Sequence, residues 1–123
     1  MAQPTILLVE DDPAIRELIL EMLAGRYDIY AADSAEAGLN WLEAAHCDLI
    51  LSDLVLPGLQ GRDFIPLAHW QCPEAPIIVI SAEPASGTDR WSSFGVVAYL
   101  LKPFDVAELE ELVARTLQQR GGH

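Results

Sequence analysis

The strongest constraint on the fold is a strict alternation between short apolar runs and longer stretches with helical periodicity. The apolar runs lie at residues 5–9, 27–31, 48–52, 76–81 and 96–101. Most of them lack a polar face, which is typical of strands buried on both sides. Strands that alternate with helices imply right-handed crossovers and a parallel sheet covered on both faces.

Capping residues mark where the intervening helices begin. Asp12 precedes Pro13, Ser34 precedes the second helical stretch, and Asp105 with Glu108 forms a capping box before the last one. The helix predicted over residues 83–94 is the weakest, because this stretch contains poor helix formers. We therefore predict an α/β flavodoxin-like fold with five helices and a doubly wound, five-stranded parallel sheet in the order 2-1-3-4-5.

The size and charge of the chain exclude several classes of function. Its 123 residues, of which 51% are hydrophobic, predict a single domain over 1–123, with a core of about 4–120 and a tail at 121–123. The 19 acidic and 7 basic residues give a net charge of -12, which argues against binding of nucleic acid or an anionic membrane. Two cysteines and no recognisable signal peptide lead us to expect a cytoplasmic protein.

Chemically useful side chains follow four of the predicted strands. In chain order these are Glu10, Asp11, Asp12, Asp53, Ser81 and Lys102. The carboxyl ends of parallel strands meet at one edge of the sheet, so we expect these residues to converge there. Lys102 is the single lysine of the chain.

A cluster of carboxylates needs a shared proton or a hard cation, and Mg²⁺ prefers such oxygen ligands. A carboxylate can also attack phosphorus, with Mg²⁺ and Lys102 neutralising the charge of a phosphoryl group. Each residue has a plainer interpretation: Asp12 as a helix cap, Lys102 as a surface charge and Ser81 as a backbone hydrogen-bond partner. The joint position of these residues at one edge favours a site.

Four motifs in order give the chain a family resemblance. They are Val9-Glu10-Asp11-Asp12, the stretch from Asp53 to Gly61, Ser81-Ala82, and the stretch from Gly95 through Tyr99 to Lys102-Pro103-Phe104. With these motifs, the chain resembles the receiver domain of two-component response regulators over about residues 4–120. Each motif is weak alone, but the ordered set is specific.

The resemblance implies the residues of a metal site and a phosphoacceptor. Asp53 corresponds to the phosphoacceptor, which also contributes to the metal site. Asp11 corresponds to a direct Mg²⁺ ligand, and Glu10, in the place of a frequent aspartate, assists through water. The backbone carbonyl of Val55 would be a further ligand.

The resemblance also implies a switch. Ser81 corresponds to the hydroxyl switch residue and Tyr99 to the aromatic one, whereas Lys102 would pair with the phosphoryl group. The Lys102–Pro103 peptide is commonly cis in this family.

The implied function is signalling rather than enzymatic turnover. A sensor histidine kinase, a phosphotransfer protein or a small phosphodonor would phosphorylate Asp53, and the output face would then signal to an unknown partner or effector. This face comprises the predicted fourth helix, fifth strand and fifth helix. A homodimer that forms through this face is a further possibility. The alternative is a degenerate receiver that binds proteins without phosphorylation. A dehalogenase-type phosphatase is disfavoured, because Val55 stands where a second aspartate is needed.

Overall fold

The computed structural model describes residues 3–54, 61–82 and 93–121, without the side chains of residues 61, 62, 120 and 121. Five strands form one sheet: β1 (Thr5–Val9), β2 (Asp28–Ala32), β3 (Leu49–Asp53), β4 (Ile77–Ser81) and β5 (Val96–Leu101). Four helices lie in the described ranges: α1 (Pro13–Leu23), α2 (Ala35–Ala44), α3 (Gly61–Gln71) and α4 (Val106–Gly121).

The sheet has the predicted topology. Its strand order is β2-β1-β3-β4-β5, and all four neighbouring pairs are parallel. The central strands β3 and β4 are buried at every position, as the apolar runs Leu49–Leu51 and Ile77–Ile80 predict. The doubly wound, five-stranded prediction is thus confirmed.

The sequence predicts five helices, whereas the described ranges contain four. The missing helix was predicted over residues 83–94, and most of that stretch (83–92) lies outside the described residues. Residues 93–95 form a turn that leads into β5. None of the helices in the described part of the chain is long and apolar enough to cross a bilayer.

Two apolar layers cover the faces of the sheet. Helices α2 and α3 contribute Leu42, Phe64 and Ile65 to the layer on one face. Helices α1 and α4 contribute Ile19 and Leu109 to the layer on the other. Because side chains alternate along each strand, the sheet supplies both layers and fixes its own register.

The predicted caps are present and set the helix starts. Asp12 Oδ1 accepts a hydrogen bond of 2.9 Å from the N–H of Ala14, and Ser34 Oγ accepts one of 3.1 Å from the N–H of Ala37. Glu108 Oε1 accepts from the N–H of Asp105 at 3.1 Å, which is one of the two contacts of a capping box. These contacts determine where the loops after β1 and β2 and before α4 end.

Gly95 lies directly before β5 and close to helix α3. It has a φ of 85°, a region that disfavours side chains. A Cβ atom at this position would lie 2.8 Å from His69 Nδ1 of α3. That nitrogen is buried and has no hydrogen-bond partner among the described residues. Close contact with α3 therefore adds to the conformational reason for glycine.

Replacing Gly95 by alanine should destabilise the fold more than the same change at Gly25. Gly25 also has a positive φ, of 90°, but no atom lies within 4 Å of its added Cβ. We expect a loss of about 1–2 kcal/mol for Gly25→Ala from the left-handed conformation alone. For Gly95→Ala we expect about 1–3 kcal/mol more, from overpacking. Urea unfolding measures both losses.

The double variant Gly95→Ala/His69→Ala separates these two causes. Removing the imidazole should make the alanine at position 95 less costly than in the His69 background. Equal losses for the two glycine variants, or no coupling between positions 69 and 95, would contradict the steric explanation.

Candidate functional site

The sheet brings the predicted site residues to one edge. Glu10 follows β1, Asp53 ends β3, Ser81 ends β4 and Lys102 follows β5. The N–H of Lys102 donates a 2.8 Å hydrogen bond to the carbonyl of Ser81, which extends the β4–β5 pairing to the lysine. The positions of these residues therefore follow from strand register.

Three carboxylates form a compact oxygen cluster. One carboxylate oxygen from each of Glu10, Asp11 and Asp53 lies within 4.8 Å of the other two. Glu10 and Asp53 are only 1% and 7% exposed, whereas Asp11 is exposed. An all-oxygen set that opens to solvent on one side suits Mg²⁺, which keeps several of its waters. The fourth predicted ligand, the carbonyl of Val55, lies outside the described residues.

Lys102 joins two of these carboxylates. Its Nζ atom lies 2.6 Å from Asp53 Oδ2, to which it donates a hydrogen bond, and 2.9 Å from Glu10 Oε1. The contact with Glu10 is a close ion pair whose geometry is not that of a directed hydrogen bond. The lysine side chain is only 17% exposed. One ammonium group thus partly compensates two buried negative charges.

The pKa values of Glu10 and Lys102 are both raised above their ordinary values. Burial raises the pKa of the Glu10 carboxyl above its usual range, although the ammonium of Lys102 opposes the change. Burial also works to lower the pKa of Lys102, but the hydrogen bond to Asp53 and the close negative charge of Glu10 outweigh it, and the net pKa is raised. Lys102 is therefore a cation throughout the neutral pH range.

Arg16 of α1 holds the loop that carries the acidic residues. Its Nη1 atom donates to the carbonyl oxygen of Glu10 at 3.0 Å and approaches that of Asp11 at 3.5 Å. The N–H of Asp12 donates to Glu10 Oε2 at 3.3 Å. Sequence reasoning missed Arg16. An arginine in the first turn of the helix that follows an acidic loop was the available signal.

The two predicted switch residues lie in neighbouring strands, β4 and β5, and in different environments. Ser81 is completely buried at the end of β4. Tyr99 pairs with Val79 in the β4–β5 ladder and packs, half-buried, against the apolar layer of α2 and α3. Their switching roles stay predictions. The Lys102–Pro103 peptide is cis, as the resemblance implies.

An apolar cavity adjoins the acidic cluster on the α1 side. It has a volume of about 400 Å³ and is lined by Ile15, Leu18, Ala82, Lys102, Pro103 and Phe104. Leu18 is 45% exposed at its rim. Lys102 is shared between this cavity and the carboxylates, so a molecule bound here would lie next to the charged groups.

Comparison with known proteins decides the family. A sequence model described as the response regulator receiver domain matches residues 6–114. The chain belongs to this family of signalling domains. The response regulator protein FleR of Pseudomonas aeruginosa is 38% identical over 114 residues, which are 89% of this chain and 24% of FleR. The receiver domain described here thus spans about a quarter of that relative.

Solved structures agree with the family assignment. A CheY-like receiver domain protein from Methanospirillum hungatei JF-1 has a TM-score of 0.90 and 27% identity, with 98% of each chain covered. The response regulator TrrA of Thermotoga maritima has a TM-score of 0.82 and 30% identity, covering 93% of this chain and 99% of TrrA. The TrrA structure is a complex with Mg²⁺ and BeF.

Replacing Lys102 by methionine should destabilise the receiver domain at neutral pH in the absence of divalent cations. The change leaves Glu10 and Asp53 buried without their cation, which typically costs about 3 kcal/mol or more. Chemical unfolding in the presence of a chelator measures the loss. Addition of Mg²⁺ should stabilise the variant more than the parent, because the variant has lost the competing ammonium.

The pH dependence of the stability difference between the parent and Lys102→Met tests whether the charge of Lys102 is responsible. The raised pKa of Lys102 means that its stabilising effect is complete below 10.5, its ordinary value, and is lost as the pH rises through the higher folded-state value. The gap in stability between parent and variant should therefore close above pH 10.5. A gap that is independent of pH would show that the lost methylene packing, and not the charge, is responsible.

Proposed function

We propose that this receiver domain accepts a phosphoryl group on Asp53 and transmits the change to a partner or effector. The main support is the position of the Asp53 carboxylate, which is nearly buried between the ammonium of Lys102 and the carboxylates of Glu10 and Asp11. The phosphorylated unit would be a single domain with a core of about residues 4–120, in the cytoplasm.

Transfer requires a carboxylate nucleophile and a leaving group. An oxygen of Asp53 forms a bond to phosphorus while the bond from phosphorus to the donor breaks. The bonding electrons leave with the donor, which is acetate for acetyl phosphate and an imidazole for a phosphohistidine. The product is an aspartyl phosphate. The protein contributes mainly positioning and charge neutralisation.

The residues of the acidic cluster are suited to hold Mg²⁺. Asp11 and Asp53 would bind it directly, Glu10 would assist, and the carbonyl of Val55 is a further proposed ligand. When bound, the ion neutralises negative charge on the phosphoryl oxygens. Glu10 and Asp11 are fixed for this task by Arg16, which holds the backbone of their loop.

Lys102 has a second role once Asp53 is modified. Its ammonium is 2.6 Å from Asp53 Oδ2, so it is already placed where an added phosphoryl group would bring negative charge. Release of this contact would allow Lys102 to pair with a phosphoryl oxygen. The carbonyl of Ser81 accepts a hydrogen bond from the N–H of Lys102. The hydroxyl of Ser81 would donate a hydrogen bond to another phosphoryl oxygen.

The signal would leave the site through β5. Tyr99 lies in the same strand that leads to Lys102, and its turn inward would couple occupancy of the site to the surface. Phosphorylation would shift the balance between two such states. The surface around β5 and α4, together with residues 83–92, is the proposed output face, and a homodimer could form through it.

The phosphodonor protein would be a sensor histidine kinase or a phosphotransfer protein. The apolar cavity beside Lys102 offers a place for such a partner to dock, because the half-exposed Leu18 lies on its rim. A donor residue held there would approach Asp53 from the side of Lys102. The downstream partner stays unspecified.

Incubation with acetyl phosphate and Mg²⁺ should add one phosphoryl group to Asp53. Intact mass spectrometry at neutral pH measures the gain, and hydroxylamine should remove it, since an acyl phosphate reacts with nucleophiles. Asp53→Asn should abolish the gain. The matched control is Asp33→Asn, which removes an exposed acid after β2 without touching the cluster.

A gain of equal size in Asp53→Asn would contradict the assignment of the phosphoacceptor. No gain in the parent, with Mg²⁺ present and the fold intact, would favour the alternative of a degenerate receiver that binds its partners without phosphorylation.

A further inference from the structure

Helix α3 has an apolar surface on the side that faces away from the sheet. Its inner side chains Phe64, Ile65 and Ala68 are fully buried. Leu67 and Trp70 are 46% and 79% exposed, and Asp63 is exposed one turn before Leu67. The spacing of four and three residues places Asp63, Leu67 and Trp70 on one outer stripe, here called the α3 ridge.

The α3 ridge is more than scattered apolar exposure. Trp70 has the largest exposed fraction among the large hydrophobic side chains of the described residues. Leu67 adjoins it at three residues' distance, so the two form a continuous patch. Tryptophan is the residue type that most often dominates binding energy at protein interfaces. Neither side chain contributes to the core or to the acidic cluster.

Charge indicates what kind of partner would cover the patch. Asp63 lies on the ridge itself, and Glu74 is exposed just after the helix ends. Among the described side chains of α3, which exclude Arg62, only His69 can become positive. The chain has a net charge of -12, so a second copy would bring like charges together. A cationic partner gains from the same field.

We propose that the α3 ridge is a docking surface for a partner protein that presents an amphipathic helix with an apolar stripe flanked by lysine or arginine. Leu67 and Trp70 would pack between the apolar side chains of that helix, in the manner of ridges and grooves. Asp63 and Glu74 would pair with its basic residues. This surface is separate from the phosphoryl chemistry and does not depend on it.

A designed helical peptide of leucine and lysine, without tryptophan, is the probe. It should bind with fast or intermediate exchange on the NMR time scale and shift the amide resonances of α3 most. The titration needs saturating Mg²⁺, so that the acidic cluster is occupied, and about 0.15 M salt, where the screening length is about 8 Å. A peptide of the same pattern with glutamate in place of lysine should not bind.

Two variants make the result specific. Leu67→Gln/Trp70→Ala should weaken binding about tenfold or more, the effect of losing a hot-spot aromatic residue. Tyr30→Gln removes an aromatic group that is 41% exposed in β2, outside the α3 ridge and the proposed output face, and should leave affinity unchanged. Both variants should still gain a phosphoryl group from acetyl phosphate if the parent does, because neither touches the acidic cluster.

Several outcomes would overturn the proposal. The resonance shifts could centre on residues outside α3, or the Leu67→Gln/Trp70→Ala variant could bind the peptide as well as the parent does. Equal binding of the glutamate peptide would remove the charge argument. Sedimentation that shows a dimer of the parent and a monomer of this variant would assign the α3 ridge to a second copy instead.

Discussion

The ammonium of Lys102 is the interaction on which the arrangement of the site depends. Glu10 and Asp53 are buried next to each other, and two such carboxylates repel strongly where water cannot screen them. Lys102 contacts both, at 2.9 and 2.6 Å, and is itself fixed to β4 through its backbone. The end of β5 is therefore tied electrostatically to the ends of β1 and β3.

The sequence predicts those parts of the molecule that follow general rules of α/β folds. Strand order and the position of Asp53 follow from alternating elements and from the rule that parallel strands present their carboxyl ends at one edge. Helix starts follow from Asp12 and Ser34, whose side chains accept local N–H groups. Helix starts depend on residues close in sequence, and strand order was predicted from a topology that many such sheets share.

Features that depend on how far a side chain extends and how deeply it is buried could not be predicted from the sequence pattern. The second contact of Lys102, with Glu10, depends on how deeply both side chains are buried. Arg16 acts through backbone carbonyl groups, so its position in the first turn after the acidic loop is only an indirect signal of its role. The exposure of Trp70 depends on the rotation of α3 about its axis, which the sequence of the helix alone does not fix. The start of β2 was predicted one residue early, because Tyr27 forms only an isolated bridge with Ala24.

The acidic excess of the chain has opposite consequences for the proposed phosphodonor and the proposed docking partner. A phosphodonor is an anion, so a domain of net charge -12 repels it at long range, and only the local cations of the site reverse that force. A basic helix is attracted over the same distance, and its rate of association rises accordingly. A protein-borne donor can offset the repulsion with its own basic surface, whereas a small donor cannot. In the proposed function, the charge that attracts cationic partners would therefore also favour phosphoryl transfer from a protein over transfer from a free metabolite.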